Sequence, residues 1–400
     1  MTFRILSLDG GGVWAVIQVK ALIKLYGADT TGHQVLQDFD LVAGTSGGSI
    51  VLGGLVENVT LGDLMNYFAD EKNRKAIFSP TKHAFDQVAA GFHVPMPKYS
   101  SVAKLTAFQN LLPKTGGLAL PNAVKGVMGA AGNKEVHLLI TAFDYDRNCA
   151  AFFRSAPASG PDWGDGAPAT ATLAEAIHAS SNAPVLFFDA PATFDGGRYW
   201  DGAITGCNNP VLAAVAEAIV LGNEPLQIAA LSIGTSAPAL LGPPGVNAGS
   251  PFYQPKPYTG ANDLEKLGID LEKLASSVTD EPPDIATFLA HVMTGGRKDL
   301  VVGVESRIVR MNPLRSPVKG ADGSWKPPGP MDEAAFAYFL NVPMDVTDKV
   351  DDFTYITTYA DYWLDGLAPN QPIRMHGDTL TPELGYTLFA AAADGWNAVK

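Results

Sequence analysis

Four short apolar runs constrain this chain more than anything else in it: Arg4 to Leu8, Phe39 to Ala43, Val136 to Phe143 and Ile228 to Ile233. Each has the length of a strand, and between them lie stretches with helical periodicity. Strands apolar on both sides must be covered on both sides, so the alternation predicts an α/β chain with a mainly parallel sheet and helices on its faces. With 46% hydrophobic and 17% charged residues in 400, the chain has ample material for such a core. Local signals agree. After the first strand and its glycines, VWAVIQVKALIKLYG reads as a helix with Lys20 and Lys24 on one face and Gly27 as its C-cap. Thr60 with Asp63, and Thr172 with Glu175, have capping-box spacing, and Pro184 ends the second of these helices.

The charge balance, 28 Lys and Arg against 41 Asp and Glu for a net −13, excludes nucleic acid and gives no field for an anionic membrane. The two cysteines, Cys149 and Cys207, form no disulfide framework and match no zinc or redox spacing. No metal cluster and no cofactor motif is expected. The start MTFRILSLDGGG lacks the parts of a secretory signal, and the most apolar run, VLAAVAEAIVL at 211 to 221, is too short to span a bilayer. A soluble, cytoplasmic protein is the expectation.

Three turns carry chemistry. Gly44-Thr45-Ser46-Gly47-Gly48 fits G-x-S-x-G between a strand and the apolar helix IVLGGLV, the setting of a nucleophile elbow. The plain alternative is a tight glycine turn. Asp9-Gly10-Gly11-Gly12 occupies the strand-to-helix turn of the first unit, where unobstructed N–H groups suit a phosphate or an oxyanion. A dinucleotide fingerprint is the rival there, and Ala15 fits its last place. It lacks its acidic partner, because Asp29 falls in a loop-like GADTTG. Asp201-Gly202-Ala203 follows the hairpin signal Asp195-Gly196, which puts Asp201 at an exposed strand end. Asn208 or Asn209 with Pro210 then starts the next helix.

In this order, DGGGVW at 9 to 14, GTSGG at 44 to 48 and DGA at 201 to 203 resemble the patatin-like phospholipase family. HLLITAFDYDRNCAAFFRS at 137 to 155, AIHASSNAPVLFF at 176 to 188, LSIGTS at 231 to 236 and SRIVRMNP at 306 to 313 extend the likeness. The resemblance implies a three-layer sandwich and a lipid acyl hydrolase of phospholipase A or lysophospholipase type. Its substrate would be a lipid or other acyl ester, met by transient contact with an interface. It implies Ser46 as nucleophile, Asp201 as base, and the backbone of Gly10, Gly11 and Gly12, joined by Gly47, as oxyanion hole. Where the family has a basic residue and glycine after the glycine run, this chain has Trp14-Ala15. Trp14 then packs on an acyl chain, faces a choline-type cation, or is a core aromatic. The catalytic unit is expected over 1–315, with 71–133 as a surface excursion or lid and 316–400 as a mainly helical extension packed on it. AFDQVAAGFHVPMP at 84 to 97 and FAYFLNVPM at 336 to 344 are candidate acyl-groove segments.

Two other readings stand beside this one. A Ser-His-Asp esterase is served by the chain order Ser46, Asp201, His376, although none of the seven histidines lies in a marked motif. A catalytically weak lipid-binding or storage protein of the same fold is kept open by Trp14.

Overall fold

The four apolar runs form the middle of one eight-stranded sheet. The computed structural model describes residues 2–81, 97–156 without 131 and 133, 170–236 without 185 and 186, 266, 282–296, 306–346 without 321, 350–375 and 382–400. The segment at 84 to 97 but for its last residue, the helical pattern Asp263 to Ser277 but for residue 266, and His83, His93 and His376 lie outside these residues. The strands are β1 (Phe3–Leu8), β2 (Leu41–Gly44), β3 (His137–Asp144), β4 (Cys149–Arg154), β5 (Ala192–Phe194), β6 (Gly197–Asp201), β7 (Ile228–Ile233) and β8 (Ile308–Met311). Their order is β5-β6-β3-β2-β1-β7-β8, with β4 also paired to β3. β3, β2, β1, β7 and β8 run parallel, and β4, β5 and β6 are antiparallel additions.

Strand alternation divides the core as the pleat requires. Leu6, Leu8, Val42, Leu138 and Ile140 face one side with α1 (Val16–Tyr26) and α2 (Gly47–Val56), joined by α3 (Leu61–Ala69), α4 (Glu71–Ile77), α5 (Ser101–Leu111) and α6 (Leu173–Ser180). Ile5, Leu41, Ala43, Leu139 and Ala230 face the other with α7 (Val211–Val220) and α8 (Pro282–Met293). The layers are therefore helices, sheet, helices. The capping box at Thr172 forms, the Thr60 hydroxyl caps its helix by accepting the Asp63 N–H (3.1 Å) without the reciprocal bond from the Thr60 backbone, and Gly27 ends α1 with φ 95. Asp195 and Gly196 turn the β5–β6 hairpin, both with positive φ.

Beyond β8 come α9 (Glu333–Phe339), α10 (Val350–Leu364) and α11 (Phe389–Val399). Lys20 and Lys24, one turn apart on α1, pair with Asp361 on α10 (2.7 Å) and with Asp365 just past its end (3.1 Å). Phe339 lies 5.2 Å from Trp14, and Trp396 stacks on Phe39 at 5.7 Å. Phe336, Phe339, Tyr359, Trp363, Phe389 and Trp396 thus stand in the same core cluster as Trp14 and Phe39. In the described part of 71–133, Ile77 on α4 and Phe108 on α5 are buried in that cluster, with Tyr99, Leu112 and Val124 from the chain around them.

Candidate active site

Ser46 stands where β2 turns into α2, with φ 50 and ψ −120. A serine in that left-handed region is strained, and it is held there by its surroundings. A Cβ on Gly48 would come within 2.2 Å of the Leu8 carbonyl, so only glycine lets the elbow sit this close to β1. The Thr45 hydroxyl ties the turn to the Cys207 carbonyl (2.6 Å), and the Ser46 N–H donates to Ser180 Oγ at the end of α6 (2.9 Å).

Sheet register brings Asp201 to the serine. β2 pairs with β3 from His137 to Ile140 and stops at Gly44. β4 pairs with β3 from Leu139 to Asp144, which leaves β6 to take over the edge that β2 vacates, where it pairs with Ala142 to Asp144. β6 is antiparallel to β3, so it descends toward the end of β2 and its last residue, Asp201, meets the elbow. The Ser46 side chain stands beside the Asp201 carboxylate and favours its ionised form. The Ala203 N–H donates to Asp201 Oδ1 (2.9 Å), and the Asp201 N–H donates to the Asn182 carbonyl (3.0 Å).

Asp201 is not at an exposed strand end, as its hairpin position had suggested; it is 4% exposed, because β3, α6 and the turn after β6 close over it. Burial pushes its carboxyl up to about 6, against the opposing pull of the Ala203 N–H, the neighbouring Ser46 hydroxyl and the Lys104 charge. A serine hydroxyl beside a carboxylate that ionises just below neutral pH can hand its proton to that carboxylate.

The glycine loop lies against this pair. A Cβ on Gly10 would stand 3.1 Å from Ser46 Cβ, and one on Gly47 would stand 2.9 Å from the Gly12 nitrogen. The Gly10 N–H is engaged, however, by the Asn208 carbonyl (2.9 Å), and the Gly10 carbonyl accepts from Thr235 (2.6 Å). Gly10 is therefore a wall of the site and not a free donor. Among the described residues no acceptor takes the N–H of Gly11, Gly12 or Gly47. The loop is anchored by Asp9, which makes a two-pronged ion pair with Arg310 of β8 at 2.9 and 2.6 Å, both side chains buried. Asn208, Ser180, Asn182 and Arg310 were not singled out as site residues. Only Arg310 announces itself, as a charged residue inside a strand-like run.

Trp14 is a core residue, 1% exposed. Its indole N–H donates to the Pro343 carbonyl (3.2 Å), and the Arg315 guanidinium stacks 4.1 Å from its ring. The cation missing at position 14 is thus present nearby, brought by the chain after β8. Among the described residues no group of His, Cys, Asp and Glu could hold a metal ion. None of the described histidines, His33, His137, His178 and His291, bonds to Ser46 or Asp201.

A family model described as patatin-like phospholipase matches residues 6–215, just over half of the chain, and spans the glycine loop, the elbow and Asp201. The chain belongs to the patatin-like phospholipase family. This patatin-like chain is 26% identical over 221 residues to a protein of Caenorhabditis elegans described as an intracellular phospholipase A2. That stretch is 55% of this chain but only 17% of the nematode protein. Among solved structures, VipD from Legionella pneumophila aligns at 12% identity with a TM-score of 0.33, over 90% of the patatin-like chain and 66% of VipD. No helix among the described residues is long and apolar enough to cross a membrane.

Proposed function

We propose that this patatin-like protein is a lipid acyl hydrolase that cleaves carboxylic esters of phospholipid or lysophospholipid type through a Ser46–Asp201 dyad. The observation that carries the reading is the strained Ser46 at its elbow beside the buried Asp201 carboxylate. Ser46 Oγ attacks the ester carbonyl carbon as its proton passes to Asp201. The carbonyl oxygen becomes an oxyanion beside the unengaged N–H groups of Gly11, Gly12 and Gly47, at the N-terminus of α2. The intermediate collapses, the alkoxide leaves with the proton from Asp201, and Ser46 is left acylated. Water then attacks the acyl-serine, losing a proton to Asp201; the bond to Ser46 Oγ breaks, Asp201 returns that proton to the serine oxygen, and the carboxylic acid departs. Each oxyanion donor is worth about 3–4 kcal/mol of barrier in such sites.

We assign the catalytic unit to 1–315 and treat 316–400 as an extension packed on it. Two free cysteines, Cys149 and Cys207, and the nematode relative's description as intracellular support a cytoplasmic site of action. The test is hydrolysis of a panel of acyl esters, graded in headgroup and chain length, by the native protein and by Ser46→Ala. Turnover by the native protein alone supports the reading. A folded native protein that turns over none of them favours instead a lipid-binding or storage role.

A further inference from the structure

The glycine loop is gripped from two sides. On one side lies the elbow, since a Cβ on Gly47 would stand 2.6 Å from the Gly12 carbonyl oxygen and 2.9 Å from the Gly12 nitrogen. On the other lies the chain just after α9. A Cβ on Gly12 would stand 2.5 Å from the Met344 carbonyl oxygen and 3.2 Å from Met344 Cβ, and Gly12 has φ 58, so only glycine admits this segment. Two hydrogen bonds fasten it. The Val13 N–H donates to the Met344 carbonyl (3.0 Å), and the Trp14 indole N–H donates to the Pro343 carbonyl (3.2 Å). Pro343 and Met344 therefore hold the two positions that follow Gly12, although 329 residues separate Trp14 from Pro343.

This segment is itself tied down at both ends. Before it, the Arg315 guanidinium donates to the Phe339 and Leu340 carbonyls (2.9 and 2.6 Å) and stacks on Trp14. After it, Asp345, 6% exposed, accepts from the Tyr99 hydroxyl (2.6 Å) and from Lys98 Nζ (3.1 Å). A buried carboxylate is costly unless paired, and here both partners come from one two-residue stretch, so the tie has one geometry. Tyr99 is a rigid post. Its N–H donates to the Phe187 carbonyl (2.7 Å), its carbonyl accepts from the Asp189 N–H (3.0 Å), and its ring packs on Phe78 and Phe188 at 5.2 and 5.9 Å. A few residues earlier, the same chain gives Ser180 Oγ to the Ser46 N–H and the Asn182 carbonyl to the Asp201 N–H. Asp345 thus joins the Pro343–Met344 clamp, and through it Gly12, to the frame that carries the dyad.

We propose that Asp345 is a positioning residue for the oxyanion loop: it fixes the Pro343 and Met344 carbonyls against Trp14 and Val13, and so keeps the Gly11 and Gly12 N–H groups directed at the oxygen that gains charge when Ser46 attacks. The proposal rests on the dyad reading above and deepens it. Asp345 touches no reacting atom and exchanges no proton in the cycle. Its effect falls on the transition state, because the loop donors matter most once the carbonyl oxygen has become an oxyanion. The extension after residue 315 then takes part in catalysis and not in stability alone.

The experiment compares native protein, Asp345→Ala, Asp345→Asn, Tyr99→Phe and Ser46→Ala on a soluble short-chain aryl ester. Rates are divided by the number of sites that a fluorophosphonate titrates to completion, which removes any fraction that fails to fold. A short-chain alkyl trifluoromethyl ketone is the second probe. Ser46 Oγ adds to its carbonyl carbon, the serine proton passes to Asp201, and the ketone oxygen becomes an anion in the place of the ester's. In Asp345→Ala, kcat falls about tenfold or more, KM stays within about twofold, and the ketone's inhibition constant rises by the factor that kcat/KM loses. Asparagine keeps an acceptor for the Tyr99 hydroxyl and restores most of the rate. An unchanged kcat per site overturns the proposal, and so does a loss of kcat that ketone binding does not follow. Should Asp345→Ala leave no titratable sites, Tyr99→Phe keeps the ring and loses only the hydroxyl that holds Asp345. A parallel fall of about threefold in kcat and ketone affinity then supports the proposal, and native values overturn it. Equal hydrolysis by native protein and Ser46→Ala would sink the dyad reading itself, whereas turnover through Ser46 that is indifferent to Asp345 overturns the clamp alone.

Discussion

Ser46 occupies a backbone conformation (φ 50) that costs a non-glycine residue about 1–3 kcal/mol. Glycine adopts it freely, so Ser46→Gly should raise thermal stability, by about 1 kcal/mol, while abolishing hydrolysis. Unchanged or lower stability in calorimetry would show that the elbow is not strained. Asp201 sets the pH dependence. Its folded value, about 6, lies above that of a free carboxyl, and only the ionised form accepts the serine proton. Activity should therefore fall as pH drops through about 6 and flatten above it, and Asp201→Asn should leave only a low residual rate across the range. His178, pushed down to about 3, stays neutral over that window. Replacing it with Gln should leave the midpoint where it is, whereas a limb that disappears with His178 would return the site to a histidine mechanism.

At the scale of elements, the site is where β1, β2 and β6 end. The elbow and the glycine turn were legible because both need particular residues at fixed spacing, and a strand and a helix flank each. The hairpin at Asp195-Gly196 was legible for the same reason. The burial of Asp201 was not, since it follows from the register in which β6 succeeds β2 along β3, and register is a property of the pairing and not of either strand alone. The engagement of Gly10 by Asn208 was hidden likewise, because Asn208 reads locally as a helix cap. The helices within 71–133 escaped notice because residues such as Lys104 and Arg74 interrupt their apolar faces yet are themselves buried. Arg310 is the element-scale anchor of the glycine turn. Arg310→Met leaves Asp9 buried without its partner and should destabilise the fold by about 3–5 kcal/mol in urea unfolding. A cost near zero would mean that Asp9 finds another partner.

The whole molecule is tied together by aromatic residues from its last hundred positions. Phe336, Phe339, Trp363 and Trp396 share one core cluster with Trp14 and Phe39. Trp396→Ala should cost about 3–5 kcal/mol, a loss too large for an independent appendage. If unfolding were unchanged, the extension would be dispensable to the fold. The net charge of −13 opposes adsorption to anionic bilayers, so cosedimentation should favour neutral vesicles, and strong calcium-free binding to anionic ones would count against that view. The account turns on one nucleophile. Intact-protein mass spectrometry after exposure to a fluorophosphonate should show a single adduct on the native protein, mapped to Ser46 and absent from Ser46→Ala. A folded native protein with no adduct, or with the adduct on another residue, would contradict it.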